Sequence, residues 1–384
     1  MNSRNIPLSI PVIQGNEWKY VKECLDTGWV SSVGEFVNRF EKSLAEYTGC
    51  RYAVSTVNGT AALHVSLVAS GITAGDEVIV PSLTFVATAN AVRYCGAEPV
   101  FVDCDKETLC IDTDKLREFL EENTYSADNI TYNKETKRPI RAIIPVHIFG
   151  HPADMDPLCD LADKYNITVI EDATESLGSK YKGRNMGSLG RLGCVSFNGN
   201  KIITSGGGGM VVTNDESLAA EIKHLTTQAR SDDIEYAHDK IGYNYRLTNI
   251  QAAVGLAQME KLDEFVDSKR KHAAVYTEML SGVKDVHIFG EQIWAKSNFW
   301  YITIKVSEDR KKSLMELLLS KGIQVRPVWK PLHTLPMYKD STKYKITNAV
   351  DAYNTCFNIP SSVTLTNEEI EYIVENITGY YNSL

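Results

Sequence analysis

From residue 52 onward, short apolar runs alternate with longer segments whose apolar residues recur every three or four positions. The runs at 52–57, 77–80, 98–102, 141–146 and 168–171 have the length and composition of buried strands. Between them, 59–70, 84–94, 114–121 and 155–165 carry helical periodicity. Strand and helix alternating through short connections predict a mostly parallel α/β sheet covered on both faces. Such a sheet binds its ligands at the carboxyl ends of the strands. Before this block, 16–25 and 34–47 read as helices, the second through Phe36, Phe40, Leu44 and Tyr47 on one face. Residues 1–15, with prolines at 7 and 11, read as an extended arm, and the polar stretch 123–139 as a surface insertion with little structure.

After Asn214 the texture becomes helical, with 216–227 and a long region 248–280 that breaks near Lys261-Leu262. Beyond Gly282, strands at 300–306 and 324–328 and helices at 310–321 and 368–381 predict a smaller α+β domain. The expected division is an arm at 1–15, a large domain at 16–255 and a small domain at 256–384.

A net charge of −9 argues against non-specific nucleic-acid binding, which needs a basic face. No run of about 18 apolar residues is present to span a membrane. The N-terminus lacks the pattern of an export signal. The eight cysteines are scattered with no C-x-x-C pair, which favours reduced thiols in a cytoplasm over disulfides or zinc. No histidine spacing suggests a metal site.

Candidate chemistry concentrates in 193–214, GCVSFNGNKIITSGGGGMVVTN. The glycines run into a strand rather than a helix, and no G-K-[ST] follows, so neither dinucleotide nor P-loop binding fits. They read instead as a bend returning the chain to the sheet edge. Lys201 lies between apolar runs. A loop lysine is ordinarily solvated, but a desolvated one is the usual amine nucleophile toward a carbonyl. Asp172 follows a core strand and is either a helix cap or the carboxylate that keeps the ring nitrogen of pyridoxal phosphate protonated. Asn58-Gly59-Thr60-Ala61 opens a helix, where free N–H groups make a phosphate site, although Asn58 serves equally as a plain N-cap. Ser196 offers a hydroxyl to the same phosphate. Phe85, just past a strand end, is either core or a stacking partner for a flat ring.

These stretches resemble the fold-type-I pyridoxal-phosphate enzymes and, more narrowly, the DegT/DnrJ/EryC1/StrS family of nucleotide-sugar aminotransferases. The resemblance runs from about residue 7 to the C-terminus through NGTAAL, GDEVIVPSLTFVATANAV, PVHIFGHPADMDP, VIEDATESLGS, YKGRNMGSLG, SFNGNKIITSGGGGMVVTND and GYNYRLTNIQAAVGLAQM. It implies Lys201 as the Schiff-base lysine, Asp172 against the ring nitrogen, and Thr60, Ala61 and Ser196 on the phosphate. Phe85 would be the stacking aromatic. Asn244 would reach the phosphate of a dimer partner, so that a homodimer shares its active sites. Many members have glutamine on the cofactor's phenolic oxygen where this chain has Glu175. A carboxylate there would repel a phenolate unless protonated or turned away. Relatives with histidine in place of the lysine are dehydratases, so Lys201 favours transamination.

The segments SFNGNKIITSGGG, VRPVWKPLHTLPMY and the N-terminal IPLSIPVIQGNEWKYVKECLDTGWVSSVG resemble enzymes of bacillosamine and legionaminic acid pathways, which aminate UDP-4-keto-6-deoxy-N-acetylglucosamine at C4. The implied reaction takes the amino group from L-glutamate and delivers it to the keto-sugar. Two half-reactions through one site imply ping-pong kinetics. Trp329, Lys330 and His333 are candidates for sugar or diphosphate contact, or else ordinary loop packing. Arg246 and Arg230 are candidates for a donor carboxylate or diphosphate, or else solvated cations. The alternatives are amination at C3, a GDP- or dTDP-linked sugar, and a non-catalytic cofactor- or sugar-binding regulator.

Overall fold

The computed structural model describes residues 5–232 and 234–383. Its centre is a sheet in which the strands Leu192–Ser196, Thr168–Asp172, Pro139–Ile143, Glu77–Pro81 and Glu98–Val102 lie side by side and parallel. Alternate residues of these strands enter two different cores. Val169, Ile79, Val100 and Val195 pack on one face, and Ile170, Val78, Phe101 and Cys194 on the other. Period-two alternation between two apolar faces is the reason the runs are apolar at successive positions rather than at alternate ones.

The glycine-rich segment enters this sheet differently from the expectation. The strand Gly209–Thr213 lies antiparallel between Leu192–Ser196 and Tyr52–Thr56, so Tyr52–Thr56 takes the edge and the glycine strand is internal. A Cβ at Gly209 would sit 2.6 Å from the Asn58 carbonyl carbon, so the strand passes the start of the helix Gly59–Ala69 at glycine-only distance.

The stretch 123–139 is a second correction. It holds a hairpin, Thr124–Ala127 with Ile130–Asn133, which joins the large sheet through Pro139–Ile143. The two loop residues Asp128 and Asn129 have φ of 49° and 64°, the left-handed pair of a tight hairpin turn. Polar composition hid a turn whose chemistry is explicit in Asp-Asn.

The long helical region breaks where expected, into Asn249–Met259 and Leu262–Leu280. A four-stranded antiparallel sheet, His287–Ile288, Ile302–Lys305, Cys356–Ile359 and Arg326–Pro327, packs with Leu262–Leu280, Glu308–Ser320 and Asn367–Asn382 around a third core. The arm reaches this unit, with Ile6 bridged to Ile323. The chain then returns to the large sheet, where Lys343–Tyr344 pairs in parallel with Glu98–Val102. Buried Asp103 fastens this return by accepting the Lys115 ammonium and the N–H groups of Thr347, Asn348 and Ala349 at the start of the helix Asn348–Thr355.

Candidate active site

Three features of the large sheet converge at the carboxyl ends of its strands. Asp172 ends one strand and Ser196 ends its parallel neighbour. Between the edge strand and the next helix, Asn58 caps Gly59–Ala69 through a bond from the Ala61 N–H to its side chain, 2.8 Å. The N–H groups of Gly59 and Thr60, in the first turn, have no intrahelical acceptor. A Cβ at Gly59 would lie 2.9 Å from the Ser196 Cβ and 3.2 Å from its hydroxyl, so glycine leaves this helix end open beside Ser196.

These groups line one cavity of about 240 Å³, together with Phe85, Glu175, Lys201, Trp300 and Trp329. Asp172 is buried. Its carboxylate accepts the Thr88 hydroxyl at 2.7 Å and the Thr174 N–H at 3.2 Å. Lys201 sits in the turn after Ser196 with its side chain 12% exposed. Among the described residues no acceptor lies within hydrogen-bond distance of its amine. The nearest carboxylate oxygen, on Glu175, is 3.9 Å away, and the Trp300 ring centroid is 4.0 Å away. Burial holds the Lys201 amine below the usual lysine range, opposed by Glu175 and Asp172.

Glu175 is buried, and burial pushes its carboxyl up to about 7 against the pull of Lys201 and of the Phe149 N–H, which it accepts at 2.7 Å. Phe149 holds φ of 55°, the left-handed region that a bulky residue rarely adopts. The backbone strain accompanies an amide aimed at one carboxylate oxygen. At neutral pH Glu175 is therefore divided between acid and anion, with one oxygen turned from the amine.

Of the residues expected from sequence, Thr60, Phe85, Asp172, Glu175, Ser196, Lys201 and Trp329 come together in the cavity. Phe85 stands at its rim, half exposed, edge-on to Trp329 at 5.2 Å. Ala61, Asn244, Arg246, Lys330 and His333 do not line it. The Ala61 N–H is taken by Asn58, Asn244 is exposed in a bridge to Thr227, and Lys330 is exposed. The His333 ring nitrogen lies 2.7 Å from the Ser82 hydroxyl. The Arg246 Nε is buried without a partner, and exposed Arg230 lies 5.5 Å from the Tyr236 ring. Trp300 and Thr88 escaped the sequence reading. Trp300 lay in a run legible only as strand, and Thr88 in a helix of small residues. Neither carries a local signal for its place.

The donor set fits pyridoxal phosphate. An open helix N-terminus beside a serine hydroxyl suits a phosphate. A buried carboxylate and an amine with no hydrogen-bond partner face the same space. Residues 11–378 match the DegT/DnrJ/EryC1/StrS aminotransferase family. The chain belongs to that family. This DegT/DnrJ/EryC1/StrS member is 42% identical to a GDP-perosamine synthase of Escherichia coli O157:H7 over 98% of this chain and 99% of that protein. It is 40% identical to a GDP-perosamine synthase of Caulobacter vibrioides over 96% of each. A crystal structure of a family aminotransferase from Brucella abortus superposes with a TM-score of 0.88 at 29% identity, covering 95% of each chain. The chain is thus a pyridoxal-phosphate-dependent sugar aminotransferase of the fold-type-I architecture, taking an amino donor and a nucleotide keto-sugar. Among the described residues no helix is long and apolar enough to cross a membrane.

Proposed function

We propose that this chain moves the amino group of L-glutamate to the C4 carbonyl of a GDP-linked 4-keto-6-deoxy sugar. The observation that carries the reaction is the amine of Lys201, on a side chain 12% exposed and with no hydrogen-bond partner among the described residues, in one cavity with Asp172 and the open helix end. The nucleotide rests on the relatives. Two proteins at 42% and 40% identity are named for making GDP-perosamine, which favours GDP over the UDP suggested by the tail motifs.

In this reading the bound cofactor supplies an electron sink that makes a proton on the donor's α-carbon removable. Lys201 holds the cofactor, and its released amine takes and returns that proton as base and acid. Burial holds this amine below the usual lysine range, which suits it to giving up a proton as well as taking one. Asp172, kept in register by Thr88, holds a proton at the ring nitrogen. Gly59, Thr60 and Ser196 bind the phosphate, with Ala61 supporting the helix turn, and Phe85 flanks the ring. Glu175, its carboxyl pushed up to about 7 by burial, would offer an O–H to the cofactor where many members have a glutamine amide. Asn244 is exposed and belongs to the site of a second copy, so the working unit is a homodimer. Trp329, which lines the cavity beside Phe85, meets the sugar nucleotide. The eight unpaired cysteines accord with a cytoplasmic enzyme.

The test is a panel of GDP-, UDP- and dTDP-linked 4-keto-6-deoxy sugars with L-glutamate, each product resolved by mass spectrometry and its amine position by NMR. The expected result is C4 amination of the GDP sugar with the highest kcat/KM. Preference for a UDP sugar would restore the tail-motif reading, and amination at C3 would sink the C4 assignment.

A further inference from the structure

The Lys201 amine raises a physical question. A buried ammonium normally finds a carboxylate or several carbonyls at hydrogen-bond distance, yet here the one facing carboxylate oxygen, on Glu175, stands 3.9 Å away. Asp172 is held by Thr88 and Thr174, and one oxygen of Glu175 by Phe149. What meets the amine is the ring of Trp300, 4.0 Å from its centroid.

Trp300 comes from the small-sheet unit and is among the largest fully buried side chains, 1% exposed. Every polar group it has is fixed. Its indole N–H donates to the carbonyl of Asn200, the residue before Lys201, at 2.6 Å. Its backbone N–H donates to Asn298 at 2.8 Å, and the same Asn298 amide holds the carbonyls of Glu175 and Leu177. Its carbonyl accepts the Ser361 hydroxyl at 2.8 Å and the Lys269 ammonium at 3.0 Å. Tyr301 stacks on it at 3.9 Å, and the Tyr301 hydroxyl accepts from the Asn200 side chain. Phe299, just before it, holds φ of 47°, a second left-handed bulky residue at this site. Lys269 is itself buried with no carboxylate, spent on the carbonyls of Trp300 and Ser361. Burial pulls the Lys269 amine down to about 7, a cost of holding two backbone carbonyls from the interior that marks the position of Trp300 as worth holding.

We propose that Trp300 is a positioning residue that holds the Lys201 amine by the face of its indole, with Lys269 fixing Trp300 from behind. A proton carrier has to visit both charged and neutral states. A close ion pair would clamp the lysine as ammonium, whereas an aromatic face favours the ammonium weakly and still accommodates the amine. The proposal rests on the reading of Lys201 as the cofactor lysine. The ionisable groups facing the amine are Glu175, Asp172 and, through Asn200, Tyr301.

The experiment uses the full-length protein loaded with pyridoxamine phosphate, which leaves the lysine free. Trace acetylation with acetic anhydride is followed against pH, and the Lys201 peptide is quantified by mass spectrometry. Loss of the indole face should lower the midpoint by about one pH unit in Trp300→Leu. Trp300→Phe, which keeps a smaller ring, should lower it by less. Lys269→Met should also lower it by releasing Trp300, whereas mere removal of a neighbouring positive charge would raise it. A midpoint unchanged or raised in Trp300→Phe, with circular dichroism matching the parent, overturns the proposal even where Trp300→Leu fails to fold. In parallel, borohydride reduction of the pyridoxal-phosphate form followed by peptide mapping reports which lysine holds the cofactor. A modified peptide other than that of Lys201 sinks the site reading independently of the acetylation result.

Discussion

Replacing Glu175 by glutamine should change how stability depends on pH. The carboxyl titrates at about 7 in the folded chain against an ordinary 4.5. Between those values the folded protein keeps a proton that the unfolded chain has lost. The group's contribution is therefore fully present below pH 4.5, falls across the window, and is gone above pH 7. At about 1.4 kcal/mol per pH unit, the loss amounts to about 3 kcal/mol. Glutamine has no proton to lose, and its carbonyl can still accept the Phe149 N–H. Urea unfolding of parent and Glu175→Gln, both stripped of pyridoxal phosphate so that the Lys201 amine is free, should thus diverge from pH 5 to pH 7. The parent should lose about 3 kcal/mol relative to the variant, because groups common to both cancel in the difference. Infrared difference spectra of the two proteins should show a protonated carboxyl that disappears near pH 7 in the parent alone. Parallel stability curves, together with a carboxyl already ionised at pH 5, would refute the reasoning. They would mean that water or a rearranged Lys201 solvates Glu175.

Lys201→Ala should abolish the visible cofactor band and glutamate-dependent turnover while leaving far-ultraviolet circular dichroism unchanged. Gly59→Ala places a Cβ 2.9 Å from the Ser196 Cβ, so it should weaken pyridoxal phosphate binding about tenfold, read by equilibrium dialysis, because the helix must shift by tenths of an ångström away from the phosphate site. Gly193→Ala puts a Cβ 2.0 Å from the Gly187 carbonyl oxygen, a backbone atom with no freedom to yield. It should cost about 3 kcal/mol in urea unfolding.

The sequence carried much of this site because its parts are local. Asp172 and Ser196 end strands whose centres are buried and apolar, and Asn58-Gly59-Thr60 is a helix start written in cap chemistry. Parallel topology then brings all three together without further information. Lys201 stands out by the apolar runs that flank it, and its role is what the family resemblance implies. What remained hidden depends on contacts between distant stretches. Trp300 reads as the beginning of a strand, and only the return of the small-sheet unit puts its ring at the amine. The strand there is Ile302–Lys305, two residues later than the apolar run suggests, because Asn298 and Lys269 hold residue 300 by its backbone. The hairpin at 124–133 was missed because polarity outweighed the Asp-Asn turn. Lys330 and His333 were grouped with Trp329 by adjacency alone, although the chain turns through two short 3-10 segments there and only Trp329 faces the cavity.

The pairing of Lys343–Tyr344 with Glu98–Val102 has a consequence for biosynthesis. Pro99 to Val102 are buried in the finished protein, yet their outer backbone partner, Lys343–Tyr344, leaves the ribosome long after them. For most of translation Glu98–Val102 is thus a bare, apolar sheet margin, the kind of surface that recruits other nascent chains. The aromatic wall of Trp300 and Trp329 also arrives late, so the nascent large domain has its lysine before it has a closed chamber around it. Chaperone dependence and losses to aggregation during expression should therefore track the C-terminal third, and truncation before residue 343 should yield insoluble protein rather than a smaller enzyme.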